Sequence, residues 1–278
     1  MRNKTQEERL DYLLQEFKED SDRYRDLEVG EDYVEKRMAL RSLMNIRMPG
    51  WMKEDVLRVQ DEFLAEEARE KGIVTLKDIP SVKEAYGSSH PFADKMSIWQ
   101  GDITRLSMDA IVNAANSQML GCFVPCHRCI DNAIHSAAGI QLREECSQYM
   151  NRQRMQYGQR YEEPTGQAVL TKGYGLPAKY VIHTVGPIVG YLLTDALRKD
   201  LENCYRNVLK CCVENEIRTV AFCCISTGEF HFPNDEAAKI AVETVTRFME
   251  EYGEKFERVI FNVFKDEDKG IYISNFEN

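Results

Sequence analysis

Apolar residues fall into two rhythms along this chain, and the change between them divides it. In the first part they recur at helical spacing. Leu10, Leu13, Leu14 and Phe17 form one stripe, and Val56, Val59 and Phe63 form another at i, i+3 and i+7. Between them Val34, Met38, Leu43 and Met44 predict a third helix. Met48-Pro49-Gly50 should stop it, because proline lacks an amide to donate and clashes with the preceding turn. Gly72, Pro80 and Gly87-Ser88-Ser89-His90-Pro91 then punctuate an irregular connection. The expected organisation is a helical extension over residues 1–90, packing its stripes on a main domain of residues 91–278.

From Lys95 onward short apolar runs alternate with longer helical segments. Met96–Trp99, Ala110–Val112, Gln167–Leu170, Tyr180–His183, Thr219–Cys224 and Arg258–Phe264 read as strands. Asn132–Tyr149, Asp195–Asn215 and Asp235–Tyr252 read as helices. In the last, Ala241, Val245, Phe248 and Met249 share a face, Asn234 is the expected N-cap and Gly253 the end. Strands alternating with helices imply an α/β fold whose largely parallel sheet is covered on both faces. There is no internal repeat or low-complexity tract.

Composition narrows the function classes. A chain of 278 residues holds one large domain, or a domain with an appendage. No apolar run approaches the roughly eighteen residues of a membrane span. Met1 to Arg9 lead into a charged helix rather than an apolar signal region. Nine cysteines, an odd number with adjacent pairs at 211–212 and 223–224, suit reduced thiols better than a disulfide framework. A cytoplasmic protein without membrane partner is expected, and we expect a monomer. The net charge of −10 argues against nonspecific nucleic-acid binding, so any bound phosphate should be held by backbone amides.

The densest chemistry lies between Asn113 and Gly139. Cys122, His127 and Cys129 offer two soft sulfurs and an imidazole within eight residues, a set that suits Zn2+ and leaves a fourth position for water or substrate. Free cysteines can be small buried hydrophobes. Four potential ligands beside Pro125 make core filling a poor account of this loop. Cys126, next to His127, is awkwardly placed to join Cys122 and Cys129 and is read as unliganded. Ligands of such folds gather at the carboxyl ends of strands. Gly101-Asp102-Ile103-Thr104, Asn113-Ala114-Ala115-Asn116 and Ser226-Thr227-Gly228-Glu229-Phe230 should sit there, the last with amides disposed for a diphosphate at a helix N-terminus. Singly each is weak, since serine, threonine and glycine also serve turns.

In this order, with Asp131-x-x-Ile134-His135-x-Ala137-Ala138-Gly139, Tyr180 to Pro187 and Phe230-x-Phe232-Pro233, the motifs resemble those of a macrodomain over residues 95–278. The departure at Cys122 to Cys129 is similar to the microbial zinc-containing macrodomains, which also carry an N-terminal helical extension. The resemblance implies a three-layer α/β/α sandwich with a mixed central sheet. It also implies a MacroD-like hydrolase that removes mono-ADP-ribose from protein side chains, acidic-residue esters foremost. It suggests a lipoyl-carrier protein as a substrate. On the same resemblance, Asp102 and the Ile103 amide would read adenine. Asn116 would touch the distal ribose, and the amides of Gly121, Ser226, Thr227, Gly228, Glu229 and Phe230 would hold the phosphates. Phe230 could pack on the distal ribose and Phe264 could flank adenine. Asp131 would carry the chemistry with Asn116, and His135 one turn later could orient it. An aspartate beside a helix start can instead be only a cap, and zinc could act in catalysis or simply order the loop.

Two rival classes share parts of this pattern. An ADP-ribose reader would need the pocket but neither Asp131 nor an open metal position. A zinc deaminase would use Pro125-Cys126-x-x-Cys129, but the matching His-x-Glu upstream is missing.

Overall fold

The N-terminal stripes form three helices, α1 (Gln6–Glu19), α2 (Tyr33–Ile46) and α3 (Glu54–Glu70). Thr5 opens α1 with a reciprocal capping box to Glu8, and Asp32 opens α2 by accepting the amides of Val34 and Glu35. In this computed structural model, which describes residues 4–277, the three helices bury Leu10, Leu13, Phe17, Leu40, Leu43, Val56, Val59 and Phe63 among themselves. Residues 1–3, part of the charged run read as leading into α1, lie outside the described residues. The stripe of α2 differs from the expected one. Val34 and Met38 are 61% and 56% exposed, and Leu40 takes their place. At 100° per residue Leu40, Leu43 and Met44 share one face, while Val34 and Met38 point the opposite way.

A short parallel pair, β1 (Val74–Thr75) with β3 (Leu106–Ser107), and α4 (Val82–Tyr86) lead into the main sheet. Its strands are β2 (Met96–Gln100), β4 (Ala110–Ala115), β5 (Val169–Lys172), β6 (Tyr180–Val185), β7 (Thr219–Phe222) and β8 (Arg258–Val263). They are ordered β2-β8-β7-β4-β6-β5, all neighbours parallel except the antiparallel pair β5–β6. The helices are α5 (Ile130–Ala138), α6 (Ile140–Tyr157), α7 (Asp195–Glu214), α8 (Asn234–Tyr252) and α9 (Asp266–Ser274). They cover both faces, α7 packing with α8 and α8 with α9, and α5 with α6, α2 and α3. The result is a mixed-sheet α/β/α sandwich.

Several boundaries differ from the pattern reading. The single helix expected over Asn132–Tyr149 is two, broken at Gly139 with φ 92°. The break is imposed from outside, since a Cβ there would meet Gln60 Nε2 of α3 at 2.6 Å while Gln60 Oε1 accepts the Ile140 amide at 3.1 Å. Strand β5 lies two residues later than expected, and β7 ends at Phe222. Asn234 is not a cap but the first residue of α8, and its side-chain Nδ2 donates to Asp268 Oδ1 at 2.5 Å.

The helical extension is tied to the sandwich through Arg143 of α6, which is 5% exposed. Its Nη1 donates to the carbonyls of Met44, Asn45 and Arg47 at 3.2, 2.8 and 2.6 Å, where α2 ends with carbonyls that have no partner in the helix. Its Nε donates to the Leu120 carbonyl at 2.6 Å, and the guanidinium stacks 4.1 Å from the Phe123 ring. A cation at the negative end of the α2 dipole is electrostatically favoured as well. Arg143→Leu should therefore lower unfolding free energy by about 2–4 kcal/mol, because several buried carbonyls lose their donor. The same change at exposed Arg152 should cost less than about 0.5 kcal/mol in the same urea titration.

Candidate active site

Strands β4, β7 and β8 run parallel, so their carboxyl ends open on one side of the sheet, and the loops there enclose a cleft of about 780 Å³. One wall is the Asn116–Asp131 segment and the other is the Ser226–Phe230 loop, with Phe264, 75% exposed, along the cleft beyond them. Asn116, Gly121, Cys122, His127, Cys129, Asp131, Ser226, Thr227, Gly228, Glu229 and Phe230 all line it. Asp102 and Ile103 are not among the lining residues. Asp102 Oδ1 is occupied by the Thr104 amide at 3.0 Å and hydroxyl at 2.7 Å, and the Ile103 side chain is buried.

Asp131 sits in the first turn of α5, 5% exposed, and does not cap it. The cap is Cys129, whose Sγ accepts the Asn132 amide at 3.4 Å. Two asparagines hold the carboxylate, Asn113 Nδ2 donating to Oδ1 at 2.8 Å and Asn116 Nδ2 to Oδ2 at 3.3 Å. Burial raises the Asp131 pKa to about 6, partly offset by the Asn113 hydrogen bond and the Arg143 charge. His135 Nε2 lies 3.6 Å from Asp131 Oδ1, but burial pushes its pKa well down, so this contact joins a neutral ring to the acid. Gly121 is held to glycine twice over. Its φ is 79°, and a Cβ would stand 2.9 Å from His135 Cγ.

Beneath Asp131 the sequence reading missed a polar chain. Asn113 Nδ2 also donates to His183 Nδ1 at 3.1 Å, so Nδ1 is the acceptor and the proton is on Nε2, 2.9 Å from Thr171 Oγ1. Only the tertiary pairing of β4 with β6, Asn113 opposite His183, reveals it. His135, Cys146 and His183 also cluster within 4.8 Å. Both His183 nitrogens are already engaged, so this buried group reads as core hydrogen bonding rather than metal binding.

The ligand atoms of Cys122, His127 and Cys129 lie within 4.8 Å of one another, half-buried at the cleft wall. Cys126 is turned away, its Sγ 3.3 Å from Ser42 Oγ. His127 Nδ1 is buried without a hydrogen-bond partner. Burial, with the neighbouring Cys122 and Asp131 also contributing, drives the Cys129 thiol up to about 12, although the Asn132 amide opposes it. A half-buried imidazole with one orphaned nitrogen, clustered with two sulfurs and with its Nε2 3.9 Å from Glu229 Oε1, fits a zinc ion, whose charge would offset the cost of forming thiolates.

Across the cleft the Ser226–Phe230 loop turns tightly. Ser226 has φ 65° and lies against Gly186, where a Cβ would come within 2.1 Å of Ser226 Oγ. Phe232 donates its amide to Ser226 O at 2.9 Å and buries its ring, and Val189 donates to Phe230 O at 2.9 Å. Among the described residues no protein acceptor takes the amides of Ser226, Gly228, Glu229 or Phe230, which leaves an anion nest just before the N-terminus of α8.

A mixed six-stranded sandwich with an anion nest facing a buried acid across the strand ends defines the macrodomain class, and a family profile described as Macro domain matches residues 112–241. The chain is 43% identical over 268 residues to a protein-ADP-ribose hydrolase of Treponema medium, covering 96% of this chain and 98% of that one. It is 40% identical over 270 residues to a protein-ADP-ribose hydrolase of Staphylococcus aureus, covering 97% and 95%. A solved Trypanosoma brucei macrodomain in complex with ADP-ribose superimposes with a TM-score of 0.63 at 27% identity, over 88% of this chain and 96% of that chain. The chain belongs to the macrodomain family, and within it to the MacroD-like hydrolases.

The hydrogen-bond chain fixes an observable. Burial holds the His183 pKa near 3, so ¹⁵N NMR of the imidazoles should find this ring neutral and Nε2-protonated from pH 8 down to about pH 5. A Nδ1–H tautomer would contradict the Asn113 contact. Because the fold keeps His183 neutral where the unfolded chain binds a proton, this residue's share of stability is complete above pH 6.5. It is lost as pH falls toward about 3.

Proposed function

We propose that the protein removes mono-ADP-ribose from protein side chains, acidic-residue esters foremost, and that it does so with zinc held by Cys122, His127 and Cys129. What supports this reading most is the meeting, on one wall of one cleft, of a buried carboxylate at Asp131 and the Cys/His cluster two residues away, opposite the anion nest. The hydrolase names of the relatives favour turnover over a reader without it.

In this reading the diphosphate takes the amides of Ser226 to Phe230, which sets the distal ribose over Asn116 and Asp131. Asn113 and Asn116 fix the carboxylate so that its proton affinity is directed at one point of the cleft. Cleavage replaces the C1″–O bond to the side chain with a C1″–O bond to water. The electron pair of the broken bond leaves on the substrate carboxylate, and the water proton passes to Asp131. Zinc, when bound, supplies a Lewis acid beside the ribose that can polarise a hydroxyl or the scissile ester. The Ser226–Phe230 nest itself offers backbone dipoles, and Arg128 and Lys265 line the same cleft as its cations. The substrate we favour is a lipoyl-carrier protein, on family resemblance alone. A monomer in the cytoplasm is the corresponding setting, in keeping with nine cysteines that are all free of disulfides.

Incubating the protein with mono-ADP-ribosylated glutamate, serine and arginine substrates, with and without chelator, tests the reading. Wild type should purify with about one equivalent of zinc and release ADP-ribose from the glutamate ester fastest. Asp131→Ala should abolish release yet bind ADP-ribose within about threefold of wild type, since the carboxylate acts on the transition state. Cys129→Ser should lose both zinc and turnover. Full turnover in Asp131→Ala, or activity indifferent to metal removal, would sink the assignment of roles.

A further inference from the structure

The helical extension touches the cleft wall at Met48, but its larger contribution lies behind the metal loop. Asn45 of α2, 2% exposed, accepts the Cys126 amide through Oδ1 at 2.9 Å and donates through Nδ2 to Ser136 Oγ of α5, also at 2.9 Å. One turn earlier, Arg41 Nη2 donates to the His127 carbonyl at 3.2 Å and to Asn132 Oδ1 at 2.7 Å. Asn132 in turn donates to the carbonyls of Val124 at 2.9 Å and Cys122 at 3.4 Å. Both outer polar groups of the Cys126-His127 dipeptide, the amide of the first and the carbonyl of the second, thus find their partners on α2.

The residue between those partners has an unfavourable backbone. Cys126 lies at φ 53°, in the left-handed region that a non-glycine residue adopts only when its surroundings hold it there. This reversal is what carries the chain back after Pro125, so that His127 faces Cys122 and Cys129. The Cys126 thiol is not a ligand of the cluster and points to Ser42 and the Met38 carbonyl. The side chain is therefore incidental to the metal, while the conformation of the residue is essential to it.

We propose that Asn45 and Arg41 are positioning residues of the metal centre. By clamping the left-handed turn at Cys126 they hold the imidazole of His127 opposite the two sulfurs, which makes the extension a structural half of the site. This rests on the zinc reading given above. Hydrogen-bond partners outside a metal's own ligands commonly set affinity by ten- to a hundredfold.

The test uses full-length protein, chelator competition for zinc, the visible absorption of the cobalt-substituted form, and kinetics. Asn45→Ala and Arg41→Ala should each weaken zinc retention by roughly tenfold or more and distort the cobalt spectrum. They should lower kcat in proportion, while ADP-ribose affinity, measured by calorimetry, falls less than zinc retention does, because only the exposed Glu229 carboxylate of the nest loop comes near the cluster, 3.9 Å from His127 Nε2. Adding Cys126→Gly to Asn45→Ala should restore most of the zinc retention, since glycine takes a positive φ without help. A contact that merely stabilised the fold would not be rescued in this way. Wild-type zinc affinity in both single variants overturns the proposal, as does absence of rescue by glycine. Should Asn45→Ala fail to fold, Arg41→Ala, at a half-buried position, decides the matter alone. A wild-type protein that binds no zinc overturns the underlying reading instead, and that result is distinct from unchanged affinity in the variants.

Discussion

One buried guanidinium holds the two parts of this molecule in register. Arg143 reaches from α6 to the open carbonyls at the end of α2 and to the Leu120 carbonyl at the start of the Cys/His loop. Burying a cation this deeply costs several kcal/mol unless its donors are matched. Here Nε and Nη1 meet carbonyls, and the stacked Phe123 ring covers one face. Burial lowers the Arg143 pKa, with the nearby Asp131 charge acting to restore it, so the same group that fixes the extension also contributes to the field at the buried acid. Position of the loop, end of the helix and electrostatics of the carboxylate are therefore set together.

Much of the sandwich was legible because its signals are local. Strand β6 was read from Tyr180 onward and α7 nearly to its last residue, since periodic apolar positions and flanking turn residues act within a few positions of the chain. The cleft loops were legible for a related reason, because the short runs of Ser, Thr, Gly and Asn after apolar strands are themselves what lines the cleft. What escaped was non-local. Gly139 breaks a helical pattern because Gln60 of a distant helix occupies the space, and a lone glycine does not by itself distinguish such a break from a glycine tolerated within a helix. Asn113 and His183 become a pair only through strand pairing. Arg143 carries no local mark of its burial among the charged residues of α6.

The adenosine side illustrates a different limit. The resemblance attaches Asp102 to a base-reading role, and here one of its carboxylate oxygens, Oδ1, caps the following turn through Thr104, an engagement that does not exclude that role. A motif fixes which residue types occur in order, but the rotamer and the hydrogen bonds of each are decided by its immediate neighbours. Cys129 carries the same lesson in favour of the site. It serves as a helix cap and belongs to the Cys/His cluster that could hold a metal, two tasks compatible with one thiol because a helix N-terminus and a cation both stabilise negative sulfur.

The Ser226–Phe230 nest has a consequence for encounter rather than for binding. A chain of net charge −10 repels an approaching diphosphate at long range, while amide dipoles attract it only on arrival. Added salt shortens the reach of the repulsion and leaves the short hydrogen bonds of the bound complex almost untouched. If the cleft takes a diphosphate, capture should vary little with ionic strength, because the repulsion of the whole chain and the attraction of Arg128 and Lys265 at the cleft are screened together.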